Sequence, residues 1–227
     1  MTPITREIAA KVLAVVDRGL SHGIGDPKPG SMCVEAAVCY ALGLPHGDDP
    51  QCVSRALRSL KIRLNDSNWS SKAARAKGLR RLAVAQLGSR DVLDDREFAK
   101  RVSVLAIRKA VPIALRAAAS IHHDSNHKAA MLLAADRCEK EPTRESALNA
   151  RTVSASADAD AYASASASAY ASAYASASAD AYAYASAAKA EIRDRILSEF
   201  AEDVVQILIE MKAPGCEWLD LTETAEA

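Results

Sequence analysis

From Ser154 to Ala187 every odd position is alanine, and the seventeen even positions hold only Ser, Asp or Tyr. Alternation with period two would put the alanines on one face of a β-strand, but a single strand of this length would span about 110 Å at about 3.3 Å per residue. Dividing it into shorter strands requires turns, and the tract contains no Gly, Pro or Asn to make them. Wound as a helix, the same alternation scatters Ser, Asp and Tyr around the whole circumference, and alanine is the strongest helix former. Helix is therefore the expected state. Neither Gly nor Pro occurs from Thr143 to Ala213, and an unbroken helix over that interval would reach about 105 Å, so a bend or turn is expected within it. Codons for these four residues interconvert by single changes, and the tract reads as an expanded DNA repeat whose length encodes no chemistry.

Outside the tract the chain has the composition of a folded protein of one large or two small domains. It has 227 residues, 49% hydrophobic and 26% charged, with zero formal net charge, which excludes wholesale disorder. Only 4% of residues are aromatic, so the core must be built of small side chains in close contact, an arrangement suited to helices. No apolar run is long enough to span a membrane, and the residues Met1 to Glu7 lack the pattern of a signal peptide. The expectation is a cytoplasmic protein with no membrane partner. Cys33, Cys39, Cys52, Cys138 and Cys216 are odd in number and widely spaced, which predicts reduced thiols.

Apolar spacing predicts a mostly α protein of seven to nine helices, built as a bundle of antiparallel helical hairpins. Ile4, Ile8, Val12, Val15 and Val16 recur at helical spacing up to about Gly19. After a Gly/Pro loop over 23–30, Ser31 is the expected cap of a helix running to Leu42, stopped by Gly43 and Pro45. Val53, Leu57, Leu60 and Leu64 form the next stripe, and Ser70 or Ser71 caps a helix whose Leu79, Leu82, Ala83 and Leu87 face inward. Asp94 to Glu97 has the form of a capping box, opening a long helix to about Ser120 that bends at Pro112. Residues 122–126 are a linker, a helix follows to Glu141, and the last helix carries Ile192, Ile196, Phe200, Val204, Ile207, Leu208 and Met211. Trp218, Leu219 and Leu221 are expected to fold back as an anchor. The expected domains are 1–92, with a basic hairpin, and 93–227, an alanine-rich helical part containing the tract.

Zero net charge conceals a separation. Residues 51–90 hold ten Lys/Arg against Asp66 alone, and residues 191–227 hold ten acids against Arg193, Arg195 and Lys212. Arg55, Arg58 and Lys61, with Lys77, Arg80 and Arg81, are the candidates for binding nucleic acid or an acidic partner, beside Asn65, Asn68 and Trp69. The favoured reading is that the acidic C-terminal helix neutralises this face internally, because charge excess alone reads no bases.

Catalytic candidates are sparse. Cys33 is expected in the first turn of a helix, where the dipole favours a thiolate, with His46, His122, His123 or His127 as base and Glu35 or an Asp to orient it. The favoured reading is a buried, slowly reacting thiol. His123 and His127 share a helical face but lack the glutamate of a metalloprotease motif, and Cys39, His46 and Cys52 fit no zinc spacing. No metal or cofactor is expected.

The run Met32-Cys33-Val34-Glu35-Ala36-Ala37, followed by Leu42-Gly43-Leu44-Pro45, loosely resembles the nucleophile helix of papain-like peptidases. The longer stretch from Pro29 to Pro50, with Leu60 to Asp66 and Trp69-Ser70-Ser71, resembles a family of bacteriophage and bacterial proteins of unassigned activity. The alanine-rich second half, ending in Ile207-Leu208-Ile209-Glu210 and Pro214 to Leu219, resembles helical immunity proteins. These resemblances imply a phage or mobile-element origin and supply no catalytic residues. The functional expectation is a nonenzymatic accessory protein that binds another macromolecule, a protein in the immunity or inhibitor reading. A nucleic-acid binder using the 51–90 hairpin and a Cys33 hydrolase or transferase are the alternatives.

Overall fold

A computed structural model describes residues 4–122, 124–157 and 190–223. The protein is mostly α: among the described residues there are nine α-helices, one π-helical segment and a closing 3-10 helix, with a lone antiparallel bridge between Gly25 and Met32 in place of any sheet. The tract lies outside the described residues from 158 to 187, so the helix expected there is not addressed.

The chain forms two compact units, Met1–Phe98 with Ala190–Ala227, and Ala99–Lys189. This division differs from the boundary at 92 expected from the sequence, because the C-terminal helix belongs with the first unit. Composition grouped 190–227 with the neighbouring alanine-rich residues, whereas its larger side chains pack on the N-terminal helices.

In the first unit, α1 (Arg6–Val16) is capped by Thr5, and α2 (Val34–Ala41) begins at Cys33 instead of Ser31. The intervening loop folds over itself: Asp26 N–H donates to Ser31 O at 2.6 Å and Cys33 N–H to Ile24 O at 3.1 Å. Gly25 sits at φ +67°, and a Cβ there would lie 2.0 Å from Ser31 O, so only glycine closes the turn. Ser54 caps α3 (Arg55–Asn65) and Ser71 caps α4 (Lys72–Ala85). Leu57, Leu60 and Leu64 of α3 are fully buried, as are Leu79, Leu82 and Ala83 of α4 and Leu87 just beyond it.

Helix α4 is the hub of this unit. It packs against α1, α2, the C-terminal helix Ala190–Glu210, and the closing 3-10 helix Pro214–Thr222. Gly78 permits the closest approach, since a Cβ at this position would stand 2.4 Å from the Trp69 ring and 2.6 Å from Ser198 Oγ. The 3-10 segment is the expected anchor: Leu219 is buried, and Trp218 and Leu221 are half-buried.

Asp94 opens α5 (Asp95–Leu105) by accepting from the amides of Arg96 and Glu97 at 2.9 and 3.0 Å. The chain passes into the second unit within this helix. It continues as a π turn over Ala106–Ala110 and then α6 (Val111–Ile121). Pro112 has no N–H to complete an α turn and its ring crowds the preceding one, which accounts for a π turn where a bend was expected.

Asp124 caps α7 (Ser125–Lys140). Thr143 and Ser146 then exchange side-chain and amide hydrogen bonds at 3.0 and 3.2 Å to open α8 (Arg144–Ala157). The core of this unit is Ile107, Leu115, Ala119, Met131, Ala134, Ala135, Cys138 and Ala150. Arg116 clamps α6 to α7 through Glu139 at 2.5 Å and Asp136 at 2.7 Å.

The last helix, α9 (Ala190–Glu210), buries Leu197, Phe200, Ala201, Val204, Val205 and Leu208. That stripe is rotated slightly from the expected one, leaving Ile196, Ile207 and Met211 half-buried.

Candidate functional site

The chemistry-bearing residues of the first unit converge where α2 starts beside α3. Cys33 is extended, with φ −74° and ψ 170°, and its Sγ accepts from Ala36 N–H at 3.3 Å as the cap of α2. Asn65, at the end of α3, accepts from Val34 N–H at 3.2 Å and donates to Ser21 O and Asp66 Oδ1, both at 2.9 Å. Asp66 Oδ1 also accepts from Gly23 N–H at 2.7 Å. Beneath this network the buried Arg75 donates to Asn65 O at 2.7 Å and Leu20 O at 2.9 Å. A guanidinium here serves as a strut between backbone carbonyls, and burial lowers its pKa.

Glu35 and Lys61 face each other inside this region, both at 0% exposure with Lys61 Nζ 3.5 Å from Glu35 Oε1. That separation is long beside the usual charge-assisted contact of about 2.7–2.9 Å. Among the described residues, both Glu35 oxygens and Lys61 Nζ have no hydrogen-bond partner. Burial raises Glu35 above the ordinary glutamate value and lowers Lys61 below the ordinary lysine value, and their mutual attraction opposes both shifts. Burial thus pushes each group toward its uncharged form.

The three cysteines nearby are inert in character. Burial raises Cys33, with the Ala36 amide opposing it. Cys39 is pushed up to about 12, chiefly by burial and next by Glu35, and Cys52 is raised by burial as well. Among the described residues no histidine bonds to Cys33. His46 Nε2 instead meets Gly25 O at 3.0 Å, while His122 and His127 belong to the second unit and His123 lies outside the described residues. Glu35 faces Lys61 and orients no imidazole. Among the described residues of the first unit, no imidazole is bonded to Cys33 as the general base that a cysteine nucleophile needs.

His122 and His127 stack edge to face with centroids 5.2 Å apart, and Asp124 spends Oδ1 on the amides of Asn126 and His127. No group of three or more His, Cys, Asp or Glu placed to hold a metal occurs among the described residues.

The structure separates the six cationic candidates. Arg58 binds Asp48 Oδ1 at 2.7 Å and Asp48 O at 2.5 Å. Arg80 binds Asp17 at 2.7 Å and Thr222 O at 2.6 Å, and Arg81 binds Glu202 at 2.9 Å. Lys61 is inside the core. Only Arg55 and Lys77 of the six are exposed, so the continuous positive face expected from the spacing is absent. The reason is rotational: three residues advance a helix by about 300°, and each step slips about 60° backward around the axis. Two steps carry the sequence from exposed Arg55 to Lys61, which enters the Leu57–Leu60–Leu64 face. The missed signal was legible in that register, because Lys61 is four residues after Leu57 and three before Leu64. Of the three neighbouring residues named with this face, Asn65 and Trp69 are buried and only Asn68 is exposed.

Apolar surface remains along α2. Ile24, Tyr40 and Leu44 are 44%, 51% and 38% exposed. Tyr40 lies on α2, and the loops of Ile24 and Leu44 are joined to it and to each other by the Cys33–Ile24 and His46–Gly25 hydrogen bonds and by Leu44 N–H donating to Cys39 O at 2.9 Å. No helix among the described residues is long and apolar enough to cross a membrane. In comparisons with known proteins, no family model, curated protein or solved structure matches the chain.

Proposed function

We propose that this chain is a nonenzymatic protein-binding module that uses the apolar surface along α2. The observation that carries this reading is the exposure of Tyr40 on α2 and of Ile24 and Leu44 on the loops tied to that helix. A tyrosine such as Tyr40 is the kind of side chain that dominates protein recognition when a partner excludes water from it, with neighbouring aliphatic surface helping to do so. Two further facts favour it over the alternatives: four of the six cationic candidates are held within the fold, and Cys33 is a buried cap without a histidine.

The resemblance of the second half to immunity proteins suggests the form of the activity, which is inhibition of a partner by occupancy. An encounter in a bacterial cytoplasm, in keeping with the phage-like resemblance of the N-terminal stretch, is part of the same proposal.

The test is capture from bacterial lysate by the full chain and by Tyr40→Asp, at low and high salt and after nuclease treatment. The expected result is a stoichiometric protein that survives salt and nuclease and is lost with Tyr40→Asp. Capture only of nucleic acid, or of a partner indifferent to Tyr40→Asp, rejects the assignment.

A further inference from the structure

We propose that Glu35 and Lys61 condense into an intramolecular amide, an isopeptide cross-link that fastens α2 to α3. This is a self-modification site and is independent of the partner-binding reading. Three observations converge on it.

The first is proximity, since Lys61 Nζ lies 3.5 Å from the Glu35 carboxyl. Groups held in place in this way react with effective concentrations far above any attainable in solution. The second is isolation: both side chains have zero exposure, and none of the three polar atoms has a hydrogen-bond partner among the described residues. Both groups are closed off from bulk solvent, and condensation replaces two poorly satisfied groups with one amide. The third is chemical form. An amine attacks only when uncharged, and a carboxyl accepts attack far more readily as the acid than as the carboxylate. Burial drives both groups in that direction.

The balance is simple. The Nζ lone pair forms a bond to Glu35 Cδ, the Cδ–OH bond breaks, and an amine proton leaves with the hydroxyl as water. No oxidant, cofactor or outside reagent is consumed. Asn65 is a buried carboxamide on the same helix but is not the acyl partner, because its oxygen accepts from Val34 N–H and its nitrogen donates to Ser21 O and Asp66.

The wild-type full chain decides the matter without any variant. After folding is verified by circular dichroism, its intact mass is expected to be lower than the sequence mass by one water. Tryptic mapping should show no cleavage after Lys61 and a branched peptide joining the segments that contain Glu35 and Lys61. Lys61→Met, which keeps a long apolar stem, should return to its own sequence mass. A folded wild type at full sequence mass with separate peptides overturns the proposal, and so does a water loss that maps to other residues.

Discussion

Cys33 illustrates how one residue can satisfy a catalytic pattern and a structural one. Its place at the start of α2 is where a thiolate would be favoured by free amides, but the sulfur accepts from Ala36 N–H inside a closed core, and desolvation outweighs that hydrogen bond. The other thiols obey the same physics, with Cys39 pushed up to about 12 and Cys138 and Cys216 to about 11. A thiol whose folded pKa is raised contributes stability in full below the unfolded value of 9.0, and that contribution is lost as pH rises toward the folded value. Between 9.0 and about 12 the wild type should therefore lose more stability than Cys39→Ala. Urea midpoints measured across that interval check this, and parallel declines would show that Cys39 ionises as freely in the folded protein as in the unfolded one.

The elements were largely readable because they rest on local rules. Ser71, Asp94 and the leucines of α3 and α4 do what their spacing predicts, since caps and stripes need only neighbours along the chain. Lys61 and the placement of α9 were harder. The first depends on which of two overlapping periodicities wins, and the second on which distant surface matches the helix in shape. Gly78 belongs to this class as well: in isolation, a glycine inside a helix reads as a weakness that alanine would repair by about 1 kcal/mol. Here a methyl group would enter the Trp69 ring, which is fixed by its Nε1–H donating to Leu64 O at 2.8 Å, and would also meet Ser198. Gly78→Ala is expected to cost about 1–3 kcal/mol in chemical denaturation. Stabilisation by the intrinsic helix preference would mean that α4 and α9 are not in close contact at this point.

At the scale of the whole molecule, an ion pair of Arg81 with Glu202 joins the basic 51–90 segment to the acidic C-terminal one. Arg80 meets Asp17, Arg81 meets Glu202, Arg6 meets Asp220 at 2.5 Å, and Ser70 hydrogen-bonds Asp194 of α9. Each exposed pair is worth little on its own. Together they tie Arg80 and Arg81 to partners inside the fold, while Ile24, Tyr40 and Leu44 along α2 stay exposed. Charge reversal at Arg58, Lys61, Arg80 and Arg81 would disturb fold contacts along with any binding, so the wild type is the better probe. The most direct measurement is the salt dependence of its affinity for single- and double-stranded nucleic acid. With Arg55, Arg63, Lys72 and Lys77 the exposed cations of 51–90, binding through this hairpin should be absent, or weak with a log–log slope no steeper than about −4, whereas a slope near about −8 would require that the buried and paired cations open to contact phosphates.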